Sequence, residues 1–165
     1  MAEVSVPGFE LTEPERRLVD YARDQLDHLW RTRRAMGGLE DILACVLSDS
    51  GGFYAGTPLR PILRQAGFCA ERHGIGNMVY REGPAARVAA LIVAGPVPSP
   101  AEPVTTPCGI CRAALHEYAL PAAPILCSSY VLTQEGVTPF PQMRRFVVAD
   151  LYPHPWEPAV WPEPS

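Results

Sequence analysis

Two short segments of this 165-residue chain hold side chains able to do metal chemistry: Cys69-Ala70-Glu71-Arg72 and, further along, Pro107-Cys108-Gly109-Ile110-Cys111-Arg112. Each reads as the start of a helix. A Cys-x-x-Cys at a helix N-terminus places both thiols at the same end, where free backbone N–H groups favour thiolate over thiol. A third thiol from a second helix start completes a three-sulfur cap. Zinc accepts such ligands, and with only three from protein it keeps a fourth position open for water, which separates catalytic sites from closed structural ones. Glu71 lies just beyond the first ligand, close enough to reach that water without binding the metal. It is placed to take a proton from the water and give it to a leaving nitrogen. Three thiolates overcompensate the charge of the metal and weaken it as a Lewis acid. Arg72 and Arg112, each directly after a ligand, are candidates to hydrogen-bond the sulfurs; the alternative is an exposed helix position or a structural ion pair.

The elements that must position these residues are legible in the hydrophobic pattern. Thr12-Glu13-Pro14-Glu15 is a capping box with proline near the first turn, and Leu18, Ala22, Leu26 and Leu29 recur behind it at helical spacing. That helix is expected to stop at Gly37 and Gly38. Residues 42–47 and 53–55, joined by Asp49-Ser50-Gly51-Gly52, read as a hairpin, and 57–67 as a connecting loop. Helices follow over 69–82 and 108–118, with apolar strands over 88–94 and 125–128 and a proline-rich loop over 95–107. Helices alternating with short apolar strands predict an α/β fold, a three-layer α/β/α sandwich around a mixed sheet. One domain is expected over 1–156, with 157–165 a proline-rich tail.

Composition narrows the class of function. The net charge of −4 argues against a protein that neutralises phosphate broadly, so no nucleic-acid partner is expected. The one tight basic cluster, Arg31, Arg33 and Arg34, reads as the solvated C-terminal end of the first helix. The longest apolar run is far too short to cross a bilayer, and the first residues carry neither a basic region nor an apolar stretch, so a cytoplasmic protein is expected. In that compartment clustered cysteines point to metal ligands or nucleophiles rather than disulfides. Cys45 and Cys127, in apolar strands, read as small buried hydrophobes. His73 reads as an ordinary helix residue, and no role follows for His154.

A cysteine, a glutamate two positions later and then Pro-Cys-x-x-Cys is the order found in zinc deaminases. On these residues the chain resembles the small homotetrameric cytidine deaminases and the related blasticidin S deaminases. Gly56 falls where that family has a glycine before its ribose-binding loop, and residues 144–153, ending Asp150-Leu151-Tyr152-Pro153, resemble its Glu-Leu-Leu-Pro segment. The resemblance implies a five-stranded sheet, zinc held by Cys69, Cys108 and Cys111, Glu71 as proton shuttle, and Ala70 among the substrate-binding residues. It also implies a homotetramer with sites completed across interfaces. The implied activity is that of an aminohydrolase acting on the C–N bond of a cyclic amidine in a small heterocyclic substrate. Zinc hydroxide attacks the carbon bearing the amino group, and ammonia leaves.

The departures bear on substrate. Where the cytidine enzymes carry Asn-x-Glu-Asn to hold the ribose, this chain reads Pro58-Leu59-Arg60-Pro61. Arg60 replaces a hydroxyl acceptor with a fork of donors suited to carboxylate or phosphate. The family's Phe-x-Val-Gly-Ala-Ala strand has become Glu40-Asp41-Ile42-Leu43-Ala44-Cys45, so its aromatic is lost. Ordinary cytidine is therefore not the expected preferred substrate. Trp156 stands where the family has a phenylalanine that approaches the base in a neighbouring subunit; it either stacks on a heterocycle or packs on the domain surface. The rival reading is a non-catalytic zinc module that binds a ligand or partner, which would keep the cysteines but need no glutamate.

Overall fold

A run such as Val88-Ala89-Ala90-Leu91-Ile92-Val93 has apolar side chains on both faces, so its strand must be covered on both sides. That is the arrangement in the computed structural model, which describes residues 9–33, 41–60, 67–96 and 103–155. In chain order the elements are α1 (Glu13–Arg33), β1 (Leu43–Ser48), β2 (Phe53–Gly56), α2 (Ala70–Glu82) and β3 (Val88–Pro96). They are followed by α3 (Gly109–Tyr118), β4 (Ile125–Leu132), β5 (Val137–Phe146) and α4 (Val148–Leu151).

The five strands form one mixed sheet in the order β2-β1-β3-β4-β5. Only β3 and β4 run parallel, and α3 lies in the crossover that a parallel pair requires. The β1–β2 hairpin closes through Gly51 at φ 92°, a backbone conformation that glycine adopts without the Cβ penalty. One face of the sheet packs Leu43, Cys45, Leu47 and Ile92 against Leu18, Val19, Ala22 and Leu26 of α1. The opposite face packs Val46, Leu91, Val93 and Cys127 against Ile75 and Met78 of α2, Leu115 of α3 and Val148 and Leu151 of α4. This is the expected three-layer sandwich with a five-stranded mixed sheet.

The start of α1 is built as its residues predict, with one variation. The Thr12 N–H donates to Glu15 Oε2 at 2.8 Å, but the Thr12 hydroxyl also donates to that oxygen, at 2.9 Å. Glu15 is thereby drawn inward, and its two carboxylate oxygens receive Nε and Nη2 of Arg145 on β5 at 2.6 and 2.7 Å. Gly37 and Gly38, the expected stop of this helix, lie outside the described residues, as does the tail over 157–165.

Two elements go beyond the sequence expectation. The fifth strand carries Pro139 and Pro141, which cannot donate to a ladder and are tolerated because β5 is an edge strand. Its pairing with β4 shifts register between Ser128 and Tyr130, close to Phe140, whose φ is 52°. The other is α4, a single turn too short to leave a periodic signal. Strand β4 also runs on to Leu132, past the expected end at residue 128. No helix among the described residues is long and apolar enough to cross a membrane.

Candidate metal and catalytic site

The site is made where two helices begin on the same side of the sheet. Cys69 and Cys108 are the N-cap residues of α2 and α3, both extended, at φ −74°, ψ 157° and φ −68°, ψ 168°. Their carbonyls accept the first helical hydrogen bonds, from the N–H of His73 at 3.1 Å and of Arg112 at 2.9 Å. Neither thiol caps its own helix, so both are free to face the space between the two helix starts. Cys111, one turn into α3, brings the third sulfur.

The sulfurs of Cys69 and Cys108 are 3.6 Å apart and those of Cys108 and Cys111 3.5 Å apart, and all three lie within 4.8 Å of one another. Tetrahedral zinc, with Zn–S bonds near 2.3 Å, asks for sulfurs roughly 3.8 Å apart, so the donor set fits that ion in type and in spacing. Three neighbouring sulfurs cannot all ionise without a counter-charge, which a bound cation would supply. Burial, with the hydrogen bond shared with Cys108, pushes the Cys69 thiol up. Burial, then the charge of Glu71, pushes Cys111 well above its ordinary value. At Cys108 burial opposes ionisation, but the N–H of Cys111 and the thiols of Cys111 and Cys69 outweigh it and hold the group low. The helix start thus favours thiolate at Cys108, while burial overrides it at the other two positions.

Glu71 lies on the first turn of α2 and is only 4% exposed. Burial raises its carboxyl above the ordinary range, against the hydrogen bonds of its own N–H and the Cys111 thiol and the nearby charge of Arg72. The carboxyl group lies beside the Cys111 thiol. Glu71, Cys69, Cys108 and the fully buried Ala70 share the wall of a 380 Å³ cavity with Arg60. Arg60 holds Asp41 through Nε at 3.2 Å, and Arg33 pairs with the same carboxylate.

The two arginines that follow ligands are anchored to main chain. Arg72 Nη2 donates to Gly67 O at 3.3 Å, while its Nε is buried with no hydrogen-bond partner among the described residues. Arg112 donates through Nε to Pro107 O at 2.8 Å and through Nη1 to Leu151 O at 3.1 Å, tying the start of α3 to α4. His73 turns away from the cluster, its Nδ1 lying 2.9 Å from Thr57 O. Cys45 and Cys127 are fully buried in β1 and β4. His154 is exposed, and Trp156 lies outside the described residues.

Three further wall residues, Ile42, Phe68 and Thr106, are not marked as cavity residues by any sequence motif. Phe68 carries the one available signal, because it immediately precedes the first ligand and has no apolar periodicity to place it in a core.

No family model matches the sequence, and no curated protein matches it. Solved structures do. Cytidine deaminase from Burkholderia pseudomallei superposes with a TM-score of 0.56 at 19% identity, over 81% of this chain and 98% of that one. The fold is that of the cytidine deaminases. The enzyme from Mycobacterium tuberculosis gives 0.54 at 21% identity, over 82% of this chain and 97% of that one. The cytidine deaminase from Bacillus anthracis gives 0.52 at 14% identity, over 86% and 88%. At these identities the cytidine deaminase fold is shared while substrate contacts are not determined by it.

Proposed function

We propose that the protein is a zinc-dependent hydrolytic deaminase of a small amino-substituted heterocycle. The single observation that carries this reading is the cluster of three sulfurs at two helix starts with the buried carboxyl of Glu71 beside Cys111, on the cytidine deaminase fold. Cys69, Cys108 and Cys111 would hold the zinc, which supplies a Lewis acid able to make water ionisable near neutral pH. Glu71 accepts a proton from the attacking water as its oxygen adds to the carbon that bears the amino group. It returns that proton to the ring nitrogen and carries the second water proton to the amine. The C–N bond then breaks, a carbonyl forms at the same carbon, and ammonia leaves.

Arg60, at the cavity wall, is proposed to receive an anionic group on the substrate, and Ala70 to present its main chain to the heterocycle. Arg72 and Arg112 are proposed to act on the metal by fixing the helix starts that carry the ligands, through the hydrogen bonds to Gly67, Pro107 and Leu151. We further propose a cytoplasmic homotetramer, with Trp156 reaching a neighbouring site.

The deciding experiment is Glu71→Gln in the zinc-loaded chain. Ammonia release from a panel of aminopyrimidines, aminopurines and pterins falls by about 10² to 10⁴, and metal analysis finds the zinc content unchanged. Full activity in that variant removes the assignment.

A further inference from the structure

We propose that Leu59 and Phe68 form an apolar clamp at the mouth of the cavity that takes a flat apolar substituent of the substrate in place of a sugar. This rests on the deaminase reading of the same site and names its substrate class: an amino-heterocycle with an aromatic or similarly flat apolar group on its ring.

The two residues face each other across a short antiparallel bridge. Leu59 N–H donates to Phe68 O at 3.0 Å and Phe68 N–H to Leu59 O at 3.2 Å. Residues directly opposite in such a pair project their side chains to the same face. Both side chains line the cavity that holds Glu71 and two of the sulfurs. Both are nevertheless 52% and 47% exposed, so a core does not account for them. The ring of Phe68 is held from one side by the Arg72 guanidinium, whose Cζ lies 4.8 Å from the ring centroid and whose Nη2 is bonded to Gly67 O. An aromatic ring fixed in this way beside an aliphatic side chain suits offset stacking with a second flat group. The remaining wall argues the same way. Ile42 and Pro58 are apolar, and among the described residues of the wall Glu71 is the one carboxylate or amide side chain able to receive sugar hydroxyls.

The test uses the zinc-loaded full chain with three probes: cytosine, cytidine and 1-benzylcytosine. Ammonia release is followed for the wild type, Phe68→Ala and Leu59→Ala, and calorimetry measures binding of the same probes to Glu71→Gln with and without Phe68→Ala. The clamp predicts a kcat/KM for 1-benzylcytosine at least about tenfold above that for cytidine, a difference of about 1.4 kcal/mol. Phe68→Ala raises KM for 1-benzylcytosine by a similar factor and by clearly less for cytosine, which has no group to reach the clamp, and Leu59→Ala gives a smaller loss of the same kind. Preference for cytidine, or equal loss on all three probes, overturns the clamp. So does a change of mass by light scattering in Phe68→Ala without a change in KM, which would mean that a second copy covers these side chains. If no probe is deaminated yet 1-benzylcytosine binds and Phe68→Ala abolishes binding, the deaminase reading fails and the clamp stands. If cytosine is turned over and the benzyl group brings no gain, the clamp fails and the deaminase reading stands.

Discussion

Gly56 lies so close to Ala70 that a Cβ on the glycine would stand 2.3 Å from the Ala70 carbonyl oxygen. The same atom would meet Gly74 N at 2.4 Å. Both contacts are main chain, so no side chain can swing away to make room. The end of β2 is pressed against the first turn of α2, next to the first sulfur ligand. Gly56→Ala must separate the strand from the helix start, and a cost of about 1 to 3 kcal/mol is expected from overpacking of this kind. Urea denaturation measures the stability and metal analysis the zinc retained; both should fall. A variant as stable as the wild type with full zinc content would show that the helix start tolerates displacement.

Glu15 and Arg145 supply a second prediction, on pH. Burial raises the Glu15 carboxyl, but the hydrogen bonds from Arg145 and Thr12 and the charge of Arg145 outweigh it and leave the group below its ordinary value. A depressed carboxylate contributes stability that is present above the unfolded value of about 4.3 and is lost as pH falls through the folded one. Arg145→Ala leaves a carboxylate that is 1% exposed without its charged partner. The expected loss is about 2 to 3 kcal/mol at neutral pH. In the variant the bonds from Thr12 remain to oppose burial, so the carboxyl is less depressed than in the wild type and the loss of stability as pH falls should be shallower. Urea midpoints from pH 3 to 7 decide it. Parallel slopes in the two proteins would assign the acid response to other carboxylates.

How far the sequence reaches depends on whether a feature is local. The sulfur cluster is legible because each half is a helix start: Cys108 and Cys111 share one turn, and Cys69 and Glu71 another. The hairpin of β1 and β2 is legible from its turn residues. Strand β5 is not, because prolines at 139 and 141 read as loop until the sheet edge that tolerates them is known. The contact of Gly56 with Ala70 and Gly74 leaves only a glycine as its trace, and a glycine has many uses. Leu59 and Phe68 are brought together by a bridge across a loop, and neither carries a pattern that predicts the partner.

Removal of metal gives a third prediction. The cluster joins the starts of α2 and α3, two helices that belong to different crossovers of the chain, so zinc should stabilise the folded chain in proportion to its affinity. Free zinc at 1,000 times its dissociation constant contributes about 4 kcal/mol. Chelation should lower the thermal midpoint, and zinc should restore it. Cys69→Ser, Cys108→Ser and Cys111→Ser should each bind less zinc and lose most of that rescue. A midpoint indifferent to both chelator and zinc would mean that the three sulfurs do not hold the ion in solution.

The five thiols should also separate in their reactivity. Cys45 is fully buried in β1, and burial pushes its thiol far above the ordinary value; Cys127 is fully buried in β4 and is pushed up to about 12. Only thiolate reacts with an alkylating reagent, and neither side chain can be approached from solvent. Cys108 by contrast is exposed at the N-cap of α3. In the chelated protein, iodoacetamide followed by peptide mass spectrometry should therefore label Cys108 first and spare Cys45 and Cys127 until the chain is unfolded. Zinc should protect Cys69, Cys108 and Cys111 together, because coordination occupies the same sulfur lone pair that the reagent needs. Labelling of Cys127 in the folded chain at the rate of Cys108 would contradict the burial that places it in the sheet. Labelling of Cys108 unaffected by zinc would separate that residue from the metal cluster.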